Sequence, residues 1–183
     1  MKNMFLNFKI IGGFLIFMLI AAGCGRKTLS PEILADKITP SDKYTFSMSV
    51  PEGWKKGDPR PEDPNEVFFA YTGSFKIPAL TVKRVNAADV SSATSAGGSL
   101  CKAMSRYWEA DGCEVIYSKG ITLNDGSSAF ESQVKWKHPF ANVYTAEITV
   151  TKNGVAYGVS AHGLKKISGD LLKYLYNFRI VNK

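Results

Sequence analysis

The sequence is short of the residues on which most enzyme chemistry depends. Two histidines and three cysteines are all that its 183 residues hold. No H-x-x-x-H or C-x-x-C spacing groups them as a metal site requires. No apolar run reaches the 20 or so residues that a helix needs to cross a bilayer. The stretch from Ile10 to Ala22 stops at thirteen. Basic residues outnumber acidic ones by 23 to 16, but they come singly or in pairs (Lys55–Lys56, Lys83–Arg84, Lys165–Lys166). A nucleic-acid tail would need a longer run of one sign. These absences argue against a metal centre, a transmembrane helix and a nucleic-acid partner.

What stands at the front of the chain reads as an address. Lys2 and Lys9 precede the apolar run, which ends in Ala21 and Ala22, and Gly23 stands between it and Cys24. A basic n-region, a short h-region and small residues make an export signal. The stretch LIAAGC resembles the lipobox of bacterial lipoproteins, whose cysteine thiol takes a diacylglyceryl group before the chain is cut ahead of it. The lipobox prefers Leu three places before the cysteine, where this chain has Ala21. The alternative is an ordinary secreted protein cut after Gly23. Two acyl chains hold a protein stably at a membrane, where one holds it only marginally. Lipoproteins retained at an inner membrane often carry Asp after the cysteine, and this chain carries Gly25. The expected location is therefore the periplasmic face of the outer membrane, if the source has two membranes.

The expected organisation is a signal peptide over 1–23, a tether over 24–43 and one domain over 44–183. Removing 1–23 takes away Lys2 and Lys9 and no acid, which lowers the formal charge from +7 to +5. About 160 residues suffice for a single core. If Cys24 is lipidated, Cys101 and Cys113 remain as a possible disulfide in an oxidising compartment. That bond would contribute roughly 2–3 kcal/mol in the entropic account. It requires Cα atoms within about 7 Å; otherwise the two are small apolar residues buried separately.

Tyr44, Phe46, Met48 and Val50 alternate with Thr45, Ser47 and Ser49, the period of a half-buried strand. Pro51-Glu52-Gly53-Trp54 turns the chain, and KKGDPRPEDPN, with three prolines, reads as a loop. Strands are expected around 66–72 and 79–85. Leu100, Met104, Tyr107 and Trp108 then form one helical stripe, which Ala110-Asp111-Gly112 ends. Four strand candidates follow (CEVIYSK, SSAFESQVKW, NVYTAEITVT and VAYGVSA), the last two joined by Asn153-Gly154, the favoured type I′ pair. Ile167, Leu171, Leu175 and Phe178 recur at helical spacing before a short FRIV tail. About six or seven strands and two helices joined by short turns indicate an α+β domain with an antiparallel sheet packed between helices.

FSMSVPEGW, the central helix, ADGCEVI, the hairpin around Asn153-Gly154 and the terminal helix running into Phe178-Arg179 resemble the PsbP-like superfamily. That group includes DcrB-type bacterial lipoproteins. The resemblance spans roughly residues 43–182 and implies an α-β-α sandwich. It also implies action by binding or by stabilising an assembly rather than by catalysis, although fold alone licenses little about function.

Candidate chemistry is sparse. Ser132-Gln133-Val134-Lys135 matches S-x-x-K, but on a strand Ser132 and Lys135 point to opposite faces. His138 and His162 with Glu147 could bind zinc or copper, yet no spacing demands it, and both histidines read as surface residues. Asp58, Glu62, Asp63 and Glu66 lie within nine residues, but they lack the ladder and fixed glycine of a calcium loop. Lys55, Lys56 and Arg60 lie near enough to neutralise them. Most of Phe68, Phe69, Tyr71, Phe75, Trp136, Phe140, Tyr174 and Tyr176 should be core. Phe68 and Phe69 cannot share one face, so one is either exposed or covered by a helix; exposed together with Tyr71 or Phe75, it would make a binding patch. The expectation is a lipid-anchored, non-enzymatic binding or adaptor module for an envelope protein partner, without cofactor, catalytic residue or metal. The alternative is a periplasmic carrier or sensor of a small apolar ligand or metal ion.

Overall fold

A computed structural model describes residues 44–61, 63–108, 110 and 112–182. The signal, Cys24 and the tether lie outside the described residues, as do Glu62, Glu109 and Asp111. The elements in chain order are β1 (Tyr44–Ser47), β2 (Lys55–Gly57), β3 (Glu66–Tyr71), β4 (Ala79–Val85), α1 (Ala93–Trp108), β5 (Cys113–Thr122), β6 (Ser128–His138), β7 (Ala141–Lys152), β8 (Val155–Gly163), α2 (Gly169–Tyr176) and β9 (Arg179–Asn182). Seven strands form one antiparallel sheet in the order β2-β3-β4-β8-β7-β6-β5. The remaining two, β1 and β9, pair with each other.

Two expectations are corrected. Lys55–Gly57 does not belong to a loop; it is an edge strand on β3, in register Lys55 with Tyr71 and Gly57 with Phe69. It is too short to show alternation. The FRIV tail is not a loose end either, because its residues form β9 against β1, Ile180 opposite Phe46.

The period-2 alternation sorts side chains onto two faces. On one, Phe68, Leu80, Val82, Ile148, Val150, Tyr157 and Val159 meet Leu175 of α2 and Phe46, Phe178 and Ile180 of the small sheet. On the other, Val134, Trp136 and Val143 meet Leu100 and Met104 of α1. Along β7 the division follows residue parity: Val143 lies under α1, and Ala146, Ile148 and Val150 lie under α2. Trp54, after the Pro-Gly corner, is buried in the α2-side core.

Cys101 and Cys113 are joined in a disulfide, with Cα atoms 5.5 Å apart, which links α1 to the first residue of β5. Asn153 and Gly154 take φ of 52° and 81°, the pair of left-handed conformations that a type I′ hairpin demands.

Candidate functional site

The α1 side of the sheet carries a buried polar row. Alternation puts Thr81 and Lys83 of β4, Ser160 and His162 of β8, and Thr145, Glu147 and Thr149 of β7 side by side there, all buried. Trp136 Nε1 donates to Thr145 Oγ1 at 2.9 Å. Thr145 Oγ1 lies 2.9 Å from His162 Nδ1, and His162 Nε2 lies 3.1 Å from Thr81 Oγ1. With its oxygen accepting from Trp136, the Thr145 hydroxyl still has a proton to give and a lone pair to offer, so it can pair with Nδ1 in either tautomer of the neutral ring, and Thr81 can do the same at Nε2. Burial, then the positive charges of Arg60 and Lys83, hold His162 well below the usual histidine range, so it stays uncharged.

Beside this chain, Glu147 accepts from Ser160 at 2.7 Å and pairs with Lys83 at 3.0 Å. A Cβ on Gly158 would stand 2.8 Å from the Glu147 carboxyl carbon, so that position is kept free of a side chain. On the opposite face Glu131 accepts from the phenols of Tyr117 and Tyr176 and lies 3.4 Å from Lys119 Nζ. Burial opposes its charge, but those donors outweigh it and hold the carboxyl below its usual range. Burial and then the bond to Glu131 push the Tyr176 phenol up to about 12.

These groups are hydrogen-bonded to one another or to neighbouring side chains. Ser132 lies on β6 with its hydroxyl 2.6 Å from that of Ser118, and Lys135 projects from the other face. His162 is corrected from surface to core, at 3% exposed. Central pairing of β8 between β4 and β7 buries it, a long-range fact that local sequence does not carry. Among the described residues no three of His, Cys, Asp and Glu are grouped to hold a metal. In the acidic loop Glu66 is committed to Arg60, and Asp63 Oδ1 accepts from the Asn65 backbone at 3.1 Å.

Of the two alternatives for Phe68 and Phe69, the structure takes the covered one. Phe68 and Phe69 are both buried, Phe69 stacked on Tyr71 with ring centres 5.3 Å apart. Phe75 and Phe140 are instead 92% and 90% exposed, and Leu164 is 58% exposed. The registers place all three at one end of the sheet. Phe75 lies in the β3–β4 connection, whose flanks Tyr71 and Ala79 are partners. Leu164 follows Gly163, the partner of Tyr144, and Phe140 sits in the β6–β7 turn between His138 and Ala141. Phe75, Lys76 and Ile77 line one small cavity, about 170 Å³, together with Phe69, Trp136 and His162. The β3–β4 connection therefore leans over the end of β8 toward the β6–β7 hairpin. Lys76 holds a left-handed φ of 56° there, uncommon for a residue with a side chain. The sequence lists these apolar residues, but only the strand order brings them together.

No family model matches the chain, and no curated protein matches it. Among solved structures, the solution structure of cyanobacterial PsbP (CyanoP) from Synechocystis sp. PCC 6803 superposes with a TM-score of 0.58. It shares 16% identity over 88% of this chain and 99% of that one. LpqN of Mycobacterium tuberculosis, described as involved in cell envelope biogenesis, gives 0.45 at 12% identity over 85% of this chain and 92% of its own. PA94 of Pseudomonas aeruginosa, described as a putative regulator of unknown function, gives 0.38 at 9% over 67% and 83%. Likeness at these identities speaks to architecture and not to activity. An antiparallel sheet between two helices, with β1 and β9 paired beside it, is a PsbP-like fold.

Proposed function

We propose that the chain is an exported, lipid-anchored cell-envelope protein that acts as a non-enzymatic binding module. The observation that carries the binding reading is the gathering of Phe75, Phe140 and Leu164, exposed, at one end of the sheet. Large apolar side chains brought together in water mark interaction surfaces. The non-enzymatic reading is supported by the state of the reactive groups: Ser132, His162, Glu147 and Lys83 are buried and bonded to one another or to neighbours. Export is supported by the leader before Cys24 and by the Cys101–Cys113 disulfide, a bond typical of oxidising compartments. Among the described residues no helix is long and apolar enough to cross a membrane.

A second reading, the carrier or sensor of a small apolar ligand, is favoured by the 170 Å³ cavity beneath Phe75. That volume is below the roughly 300 Å³ at which ligand pockets usually begin, and the larger hollows beside Lys83 and Phe130, about 390 and 660 Å³, are open grooves, so we rank this reading second.

Two measurements test the proposal. The intact mass of the protein from its native membrane should show two or three acyl chains on a chain beginning at Cys24, and Cys24→Ala should lose them. A bare chain would overturn the anchor. A photo-activatable benzophenone residue at position 140, illuminated in living cells, should form an adduct with a lipid or a polypeptide. No adduct of either kind would overturn the assignment of this end as the binding surface.

A further inference from the structure

The three connections that carry the apolar tips share a second property. TGSFKIP (72–78), KHPFA (137–141) and GLKKIS (163–168) contain four lysines, one histidine and no acidic residue. Lys76, Lys137, Lys165 and Lys166 are all exposed. Asp170, exposed in the first turn of α2, follows the third connection by two residues, and Glu52 and Glu114 stand on the flanking edges, before β2 and in β5. The connections at the other end read oppositely, with Asp58, Asp63, Asp89 and Asp125 against Arg60 and Lys152. The domain is thus polar along its strands, with cations and apolar tips at one end and most of the described loop carboxylates at the other.

The form of the tips distinguishes between kinds of partner. A protein interface has a contiguous, close-packed apolar centre with a polar rim. Here the large exposed side chains come one to a connection, Phe75, Phe140 and Leu164, each with a lysine within three residues of it. Side chains of that kind suit a medium that is apolar in depth, anionic at its surface and uniform in the plane, where no shaped pocket has to be matched. Phenylalanine and leucine enter such an interface, and lysines lie with their stems along it and their ammonium groups among the phosphates.

We propose that this end docks on the anionic surface of a lipid bilayer, Phe75, Phe140 and Leu164 entering the interface and Lys76, Lys137, Lys165 and Lys166 lying on its phosphates. This names the partner of the binding surface proposed above and rests on that reading. The anchor geometry allows it. Tyr44, the first residue of β1, pairs with Asn182, and β9 lies beside Lys152 at the opposite end. Residues 24–43 span at most about 70 Å when extended. A domain of about 140 residues has a diameter of roughly 40 Å. The tether can therefore pass the length of the domain and leave the tips against the membrane.

The experiment uses the full chain carrying Phe140→Trp, bound to vesicles of phosphatidylglycerol with phosphatidylcholine, some brominated in their acyl chains. Emission is read as the difference from the parent chain. The expected result is a blue shift and quenching at position 140 on anionic vesicles. Both should fall to the level seen on phosphatidylcholine alone in Lys165→Glu/Lys166→Glu, and in Lys137→Glu as an independent variant, with the far-ultraviolet circular dichroism of each unchanged. Position 140 remaining unquenched, while sedimentation shows the chain bound to anionic vesicles, would overturn the proposal. So would in-cell adducts from position 140 that contain polypeptide and never lipid; that outcome leaves the binding-module reading standing. The anchor is judged separately by mass, because quenching at position 140 reads contact of the tips however the chain is held.

Discussion

The two faces of the sheet solve the problem of burial in different ways. Under α2 and the β1–β9 pair the contacts are mostly hydrocarbon and aromatic, with Glu131 and Gln133 as buried polar exceptions: Phe46 lies 5.6 Å from Phe178 and 5.9 Å from Tyr157 between ring centres. Under α1 the same strands present Thr81, Lys83, Thr145, Glu147, Ser160 and His162, and burial there depends on every donor finding its acceptor. An apolar face tolerates exchange of one hydrocarbon for another of like volume. A polar face is sensitive to the loss of a single partner, because the group left behind remains buried without water. The first face supplies most of the driving force for folding, and the second depends on the exact pairing of its members.

The comparison can be broken or sharpened by substitution, beginning with the largest effect. Phe178→Ala removes a fully buried ring from the apolar face and should cost about 3–5 kcal/mol, read as the urea midpoint. Glu147→Leu on the polar face should cost about 3 kcal/mol by leaving Lys83 buried opposite hydrocarbon. The double variant Lys83→Met/Glu147→Leu should return to within about 1 kcal/mol of the parent. If the double variant is as unstable as the single one, the pair is not what makes that face sensitive. Cys101→Ser/Cys113→Ser should cost roughly 2–3 kcal/mol, measured by thermal unfolding.

A fourth test uses pH. His162 is held neutral in the fold with its pKa well below 6.5, so below about pH 6.5 the unfolded chain takes up a proton that the folded chain refuses. Stability should therefore decline as pH falls from about 6.5 toward the folded pKa, and His162→Gln should flatten that part of a profile of melting temperature against pH. Glu131, whose folded pKa is lowered, acts in a lower window: its contribution is present above the ordinary carboxylate value and is lost as pH falls below it. The smallest effect belongs to the tips. Phe140→Ser and Phe75→Ser should move stability by less than about 0.5 kcal/mol, since neither ring is buried.

Much of the fold was legible in the sequence because its signals are local. The alternation from Tyr44 to Ser47, the Asn153-Gly154 turn and the Leu100–Met104 stripe each report their own conformation, though the same alternation continues to Val50 past the end of β1. What was not legible is set by partners far along the chain. β1 shows that it is a strand but not that its neighbour is Arg179–Asn182. His162 looks like the end of a strand near a glycine, and only β4 on one side and β7 on the other bury it. Phe140 counts as one more aromatic until a two-residue turn carries it out of the sheet. The candidate surface draws on three connections, the outermost about 90 residues apart in sequence, and no local pattern could announce their meeting.

The pairing of Tyr44 with Asn182 has a consequence for engineering. Register partners on antiparallel strands lie about 5 Å apart, so the described domain begins and ends at one spot on its surface. A short linker could join those ends, and new termini could be opened at the exposed Asn124–Gly126 turn, giving a circular permutant with the same pairings. For the same reason the domain could be carried as an insertion inside a loop of another protein. A reporter fused beyond Asn182 would start beside Tyr44, at the end of the sheet opposite Phe75, Phe140 and Leu164.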